Sequence, residues 1–375
     1  MILVIADDIT GAAEMAGIAH RQGLSVCFSL TADELMEDND HDVLVLATDT
    51  RSEDEETARQ TIRDIISHLT TFPQLLYKKV DSALRGHIVA EMTELMRNLG
   101  MQYALLIPQN PALGRTIEDG IYYIHGTPLH QTDFRFDPEY PVQTADVTEI
   151  LAPAEHLAMD APLEKGINIA DGKDEEEVVR QLEKRTRGVL LAGGGFAFSS
   201  LLQQMDHNRD VIPFPLPPNK NTRTLVVCGS TQSKAIHDLP FFQQHDTTVI
   251  TMPEKVFHGD DPTTWIEEST KEYLQHEATI LRIGHEAVTT REYATRLKNT
   301  MALLTMQMIQ KDTPCQLIIE GGATAYCILT SLGWHRFAIK KEIAPGVVCM
   351  TYHDAISSVD IILKPGSYPW GELFD

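Results

Sequence analysis

Short apolar runs, each closed by a polar or glycine turn and followed by a helical pattern, recur along this chain. Ile2–Ile5 runs into Asp7-Asp8-Ile9-Thr10-Gly11 and a helix through about His20. Val43–Ala47 leads to Thr48-Asp49-Thr50-Arg51-Ser52 and a helix near 53–69, and Leu75–Lys79 to Asp81-Ser82 and a helix near 87–99. After Tyr103–Ile107 comes a stretch, 108–141, rich in Pro, Gly, Asp and His and weak in periodicity, which is expected to be a long functional loop. The rhythm resumes with a helix near 174–186, a strand at 189–192, and Gly193-Gly194-Gly195 before another helix. Uniformly apolar strands alternating with helices demand a parallel sheet covered on both faces. Ligands of such sheets bind beyond the carboxyl ends of the strands, which is where the unusual residues of this chain fall.

At 375 residues the chain exceeds one ordinary domain. The run Ile212-Pro213-Phe214-Pro215-Leu216-Pro217-Pro218-Asn219 favours an extended, semi-rigid linker. A second α/β rhythm follows, with strands near 224–228, 248–252, 279–283, 316–320, 347–351 and 361–364 and a long helix near 290–310. The predicted class is therefore α/β with two domains, 1–212 and 224–375, joined by a linker at 213–223. Each domain has a mainly parallel sheet flanked by helices. No short internal repeat is visible.

Composition removes several function classes. No run of about 18 uncharged apolar residues could form a transmembrane helix, and the apolar start stops at Asp7-Asp8, too short for a signal peptide. The five cysteines are scattered without a CxxC pair, so a reducing, cytoplasmic setting and no disulfide framework are expected. A net charge of −23 disfavours nucleic acid and membrane surfaces as partners. It also repels an anionic metabolite, so small basic clusters carry more information here than in a neutral chain.

The strongest such cluster is Lys78-Lys79-Val80-Asp81-Ser82-Ala83-Leu84-Arg85-Gly86-His87. Strand alternation turns Lys78 and Lys79 to opposite faces, so one reaches the crevice. A guanidinium can fork onto a substrate carboxylate while an adjacent Asp accepts a proton from a hydroxyl. The bland reading is a surface ion pair with a helix cap. Asp7-Asp8 at the end of the first strand could orient hydroxyls, bind magnesium, or cap the helix. Asn110 and Arg115, after the fourth strand, could contact substrate oxygens or an anion, or simply mark an Asn-Pro turn. In the second half, Gly229-Ser230-Thr231, Gly321-Gly322-Ala323-Thr324 and Lys364-Pro365-Gly366-Ser367 each follow a strand. Backbone N–H groups at a glycine turn opening a helix suit phosphate. Neither GxxxxGK[ST] nor GxGxxG is present.

In sequence order, ADDITGA (6–12), KKVDSALRGH (78–87), PQNPALGRTIEDGIYYIHGTPL (108–129), Asp137-Pro138, GSTQ (229–232), GGATA (321–325), APGV (344–347) and LKPG (363–366) make the chain resemble the four-carbon acid sugar kinases. The likeness spans nearly the whole chain. It implies an N-terminal domain for an acid sugar such as threonate, erythronate or 3-oxo-tetronate, a C-terminal domain for ATP, and an active site in the cleft between them. It puts Asp7, Asp8, Lys79, Asp81, Ser82, Arg85, Asn110 and Arg115 on the substrate side. Ser230, Gly321, Gly322, Ala323, Thr324 and Gly366 fall on the nucleotide side. Ala323 stands where the family usually has an acidic residue, with Glu320 the nearest acid, so the metal ligands stay unassigned.

The expected function is ATP- and Mg²⁺-dependent phosphorylation of a terminal hydroxyl. Asp8 or Asp81 would orient or deprotonate that hydroxyl, and Lys79 and Arg85 would hold the acid. A homodimer is compatible with the sequence. The rival readings are a non-catalytic sensor of sugar acid or nucleotide, supported by Ala323, and a dehydrogenase, against which the missing GxGxxG counts.

Overall fold

The structure, a computed structural model, describes residues 1–32, 40–69, 71–137, 140–205, 223–229, 240–285, 290–354 and 358–366. It divides into two compact units, Met1–Val211 and Ile212–Asp375. Of the expected linker at 213–223 only Arg223 lies within the described residues, and Ser230 and Pro138 lie outside them.

The first unit contains β1 (Ile2–Ala6), α1 (Ile9–Arg21), β2 (Val26–Ser29), β3 (Val43–Ala47), α2 (Glu55–Ser67), β4 (Leu75–Lys79), α3 (Ile88–Leu99) and β5 (Tyr103–Ile107). Next come β6 (Arg115–Glu118), β7 (Ile121–Ile124), β8 (Thr127–Pro128), β9 (Glu155–Leu157), β10 (Gly166–Ala170), α4 (Glu175–Leu182), β11 (Val189–Gly193) and α5 (Gly195–Gln203). Its main sheet runs β2-β3-β1-β4-β11-β5-β10-β9, with every described pairing parallel. The strands read as continuous apolar runs because helices cover both faces, and Leu3, Ile5, Leu44, Leu46, Leu76, Met92, Leu95 and Leu106 meet in one core. Aspartates cap α1, α2 and α4: Asp8 accepts from the Gly11 N–H, Asp54 from Thr57 and Asp174 from Glu177.

The stretch expected to be a long loop contains a sheet of its own, β6-β7-β8. Its two turns, Asp119-Gly120 (φ 49° and 76°) and His125-Gly126 (φ 49° and 75°), have both central residues left-handed, the form that closes a two-residue hairpin. Ile117 and Tyr122 point inward and are fully buried. The Asp-Gly pair between Arg115–Glu118 and Ile121–Ile124 was the readable signal, and the abundance of Pro and His masked it. Strands β2, β9 and β10 also escaped the sequence reading, being short or flanked by polar residues.

The second unit contains β12 (Thr224–Cys228), β13 (Thr247–Thr251), α6 (Thr263–Tyr273), β14 (Ala278–Arg282), α7 (Arg291–Lys311), β15 (Gln316–Glu320), α8 (Gly322–Ser331), β16 (Arg336–Ala344), β17 (Val347–His353) and β18 (Ser358–Lys364). The order is β13-β14-β12-β15-β18-β17-β16, parallel from β13 to β18 and antiparallel through β17 and β16. Val226, Ile280, Ile318, Met350 and Ile362 are buried between its layers.

Both units open with the same strand order. In each, the second and third strands lie to one side of the first, and the fourth lies to the other. The first and fourth strands therefore flank the point where the crossovers change direction, and ligands of doubly wound sheets gather beyond the carboxyl ends there. In the first unit that point carries Asp7-Asp8 and Asp81. In the second it carries Gly229 and Gly321-Gly322.

Candidate active site

At the switch point of the first unit, Arg51 is the hub. It enters from the turn after β3, where Asp49 takes a left-handed backbone (φ 53°) and Thr50–Ser52 form a single helical turn. Its Nε and Nη2 lie 2.8 Å from Asp7 Oδ2 and 2.8 Å from Asp7 Oδ1, and Nη2 lies 2.8 Å from Asp8 Oδ1. Nη1 lies 3.2 Å from Asp81 Oδ1. One guanidinium thus links three carboxylates contributed by the ends of β1 and β4. Gly86 makes room for it. Its φ is 88°, and a Cβ there would stand 3.3 Å from Arg51 Cγ and 3.4 Å from Asp7 Oδ2.

Asp81 is held from every side. Arg85 forks onto it through Nε (2.8 Å) and Nη2 (2.9 Å), and the Ala83 and Arg85 N–H groups donate to Oδ2 at 3.0 and 3.2 Å. The remaining Arg85 nitrogen, Nη1, reaches Asp137 Oδ2 at 2.7 Å, and the guanidinium lies over the Phe134 ring. Burial would raise the Asp81 carboxyl, but Arg85 and Arg51 hold it well below the usual carboxylate range.

Asp8 is more open, with 13% of its side chain exposed against 6% for Asp81 and 2% for Asp7. Its Oδ1 accepts from the Gly11 N–H at 3.1 Å, and Oδ2 accepts from the Thr10 hydroxyl. Burial works against its ionisation, yet Arg51 and Lys79 keep it below its ordinary value. It is therefore both the cap of α1 and a member of the charged cluster; the two readings coexist. Lys79 donates to the Val80 carbonyl at 2.8 Å and stands 3.6 Å from Glu14. Burial would lower its ammonium, but Glu14, Asp8 and Asp7 raise it.

Ser82, Asn110 and Arg115 form an adjoining group. Asn110 and Arg115 exchange backbone hydrogen bonds of 3.0 Å, Arg115 Nη1 donates to Ser82 Oγ, and the buried Tyr122 hydroxyl donates to the Ser82 carbonyl. Among the described residues no carboxylate pairs with Arg115.

All eight substrate-side positions expected from sequence thus lie at strand ends of the first unit. Sequence reading missed Arg51, Glu14 and the role of Asp137. Arg51 was recoverable, because it stands in a strand-end turn of an acidic chain just as Arg85 does.

In the second unit Cys228, Glu320 and Lys364 are cross-strand neighbours, so the turns of Gly229, Gly321-Gly322 and Pro365-Gly366 begin side by side. Two details correct the sequence reading. The Gly229 and Gly321 N–H groups continue the sheet ladder, donating to Glu320 and Lys364 carbonyls at 2.9 Å, and are not available to phosphate. The open donors begin at α8, whose first turn, Gly322-Ala323-Thr324, follows an N-cap glycine with no side-chain cap. The second detail concerns Glu320. Expected to be the acid nearest Ala323, it is buried in an ion pair of 2.7 Å with Lys364. Thr324 is itself buried, and a Cβ at Gly229 would fall 2.1 Å from its Oγ1. Gly366 is exposed beyond β18. No described helix is long and apolar enough to cross a membrane.

Residues 2–193 match the family described as a sugar-binding N-terminal domain, and residues 225–368 that described as a nucleotide-binding C-terminal domain. The D-threonate kinase of Salmonella typhimurium LT2 is 24% identical over 98% of this chain and 95% of its own length. The 3-oxo-tetronate kinase of Methylobacterium radiotolerans is 21% identical over 99% and 96%. The D-erythronate kinase of Heliobacterium modesticaldum is 33% identical over 40% of this chain and 35% of its own length. The fold matches a crystal structure from Salmonella typhimurium LT2 (TM-score 0.77, 19% identity, 100% and 97% coverage). It also matches Haemophilus influenzae protein HI1011 (TM-score 0.70, 18% identity, 99% and 98% coverage). Joined to a charged switch point in one unit and an uncapped glycine turn in the other, these matches show that the chain belongs to the four-carbon acid sugar kinase family.

Proposed function

We propose that the protein transfers the γ-phosphoryl group of ATP to the terminal hydroxyl of a four-carbon sugar acid of the threonate, erythronate or 3-oxo-tetronate type. The observation that carries this reading is the ionised, partly open Asp8 beside Lys79 and Arg51 at the sheet's switch point. It supplies a proton acceptor next to positive charge in a chain that is otherwise strongly acidic.

Asp8 orients the attacking hydroxyl and accepts its proton. A carboxylate held below its normal range is a weak base, which suits phosphoryl transfer, where the loose transition state needs the proton removed late. Asp81, whose oxygens already accept four N–H groups from Arg85, Ala83 and the Arg85 backbone, acts as a positioning residue rather than a second base. Arg115, free of carboxylate partners among the described residues, receives the substrate carboxylate. Ser82 orients its guanidinium, and Asn110 holds its backbone. Lys79 adds charge at the same end of the sheet.

The phosphates of ATP meet the first-turn N–H groups of α8 at Gly322, Ala323 and Thr324, where the helix dipole favours negative charge. The described residues there offer magnesium no open carboxylate: Ala323 has no ligand atom and Glu320 is tied to Lys364. No group of three His, Cys, Asp or Glu able to hold a metal occurs among the described residues. Magnesium is therefore taken as part of the MgATP substrate, keeping most of its water.

An ADP-release assay with threonate, erythronate and 3-oxo-tetronate, each with and without ATP, tests the reading. Acid-dependent release with at least one of them is expected. Tight binding of an acid or of ATP with no release on any would replace the kinase by a sensor.

A further inference from the structure

Behind the charged cluster, on the other face of the sheet, lies a second ionic group that the proposed chemistry does not touch. Lys78 and Glu91 are both fully buried, at 0% and 1% side-chain exposure, with Nζ 2.9 Å from Oε2. The ammonium donates to the Lys79 carbonyl at 3.2 Å, while Glu91 Oε2 receives no well-aimed hydrogen bond, so the Lys78–Glu91 contact is an ion pair. The other Glu91 oxygen, Oε1, accepts from the Thr50 hydroxyl. The Thr50 and Thr48 hydroxyls are 2.8 Å apart, and Thr48 reaches the Ala6 carbonyl at 3.0 Å. The single Thr50 proton goes to Glu91, so the single Thr48 proton is shared between the Thr50 oxygen and the Ala6 carbonyl, which the Thr48 N–H also reaches at 3.0 Å.

The network therefore joins β4 through Lys78, α3 through Glu91, the β3 turn through Thr50 and Thr48, and the end of β1 through Ala6. The same three strand ends carry Lys79 and Asp81, Arg51, and Asp7 and Asp8. A buried ion pair is a poor stabiliser, since apolar residues of similar volume do as well or better. Its geometry here is of another kind of use: Thr50 precedes Arg51 directly and is fixed by a charge from a different element. Arg51 has three carboxylates to satisfy and Asp49 before it is left-handed, so a small slip of the turn would break the fork.

We propose that the buried Lys78–Glu91–Thr50 network is the positioning device for Arg51, and through it for the Asp7, Asp8 and Asp81 carboxylates, rather than a source of stability. Lys78, Glu91 and Thr50 are positioning residues; none reaches the acid. The kinetic part of the test rests on the proposed kinase reading, and the spectroscopic part does not.

Three variants of the full chain are compared with wild type: Thr50→Val, Thr50→Ser, and the double replacement Lys78→Met/Glu91→Leu. The Arg51 Nε–H signal, assigned with Arg51→Lys, is followed by ¹⁵N NMR for hydrogen exchange. Thr50→Val and the double variant should each speed that exchange by about tenfold or more and lower kcat by at least about tenfold, with the acid KM changed less. Thr50→Ser, which keeps the hydroxyl, should restore both. The double variant keeps the test open if Thr50→Val fails to fold, because exchanging the whole pair for apolar side chains removes the unpaired charge. Unchanged Arg51 exchange in the double variant, or in a folded Thr50→Val, would overturn the proposal, as would full kcat in either. If wild type phosphorylates none of the acids, the kinase reading fails alone and the exchange comparison still decides the positioning.

Discussion

Arg51 and Asp7 meet as fork on fork, Nε to Oδ2 and Nη2 to Oδ1, each at 2.8 Å. Only a planar guanidinium can do this while also reaching Asp8 and Asp81. Arg51→Lys keeps one positive charge but can serve only one or two of the three carboxylates. We expect kcat to fall by about 100-fold with ATP binding unchanged. Steady-state kinetics with both substrates varied checks this, and a kcat within threefold of wild type would contradict it.

Asp81 should shape acid stability. Its folded-state ionisation lies well below that of an unfolded Asp, so its contribution is present above the unfolded value of about 4 and is lost as pH falls through the lower folded value. Asp81→Asn takes the forked partner from Arg85, leaving it Asp137, and one of three carboxylates from Arg51, and should cost about 3 kcal/mol at pH 7. The gap between variant and wild type should narrow below about pH 4. Urea unfolding from pH 7 to pH 3 measures it, and a gap constant with pH would refute the assignment.

The same directions fix the pH dependence of turnover. Asp8 is lowered and Lys79 raised, so both stay charged across the neutral range. The profile of kcat/KM should be flat between about pH 5 and pH 9. A bell centred near pH 7 would point to a histidine or to another base.

Sequence reading gave the substrate carboxylate to Lys79 and Arg85, with Arg115 a further candidate for an anion. Arg85 is engaged by Asp81 and Asp137, whereas among the described residues the Arg115 guanidinium meets Ser82 and no carboxylate. Arg115→Met should raise the acid KM by about 10- to 100-fold, the loss of one charged hydrogen bond, and leave the ATP KM within about twofold. Arg85→Met should act chiefly on kcat and stability. A reversed pattern in the initial rates would exchange the two roles.

In the second unit Gly229 is a matter of space. A Cβ there would overlap Thr324 Oγ1 at 2.1 Å and Thr324 Cβ at 2.6 Å. Gly229→Ala should push back the start of α8 and weaken ATP binding by about tenfold. Adding Thr324→Gly should recover part of the loss. Calorimetric titration of ATP into both variants tests this, and additive losses would mean the two positions are not coupled.

Much of this was legible in sequence. Strands β1, β3, β4, β5, β12 and β15 are apolar runs bounded by turn residues, and their ends gave Asp7, Asp8, Asp81 and the glycine turns. Periodicity could not give the order of the strands, which depends on which crossover passes over β1 and β12. For that reason the switch point stayed hidden, and Arg51, though recoverable as a basic residue in a strand-end turn, was not tied to it. Partners were equally invisible. Nothing local to Glu320 says that Lys364 will pair with it 44 residues later. Likewise, nothing in Gly229 and Gly321 announces that their N–H groups will continue the ladder.

The most direct measurement is the position of phosphate on the product. The protein is incubated with MgATP and each of threonate, erythronate and 3-oxo-tetronate, and ³¹P–¹H correlation spectra are recorded on the mixture. The expected result is a new phosphomonoester, formed from at least one acid, whose phosphorus couples to the two protons of the terminal carbon. It should be absent with Asp8→Asn. Phosphorus on an internal carbon, or no acid-dependent phosphomonoester from any of the three, would contradict transfer to a terminal hydroxyl oriented by Asp8.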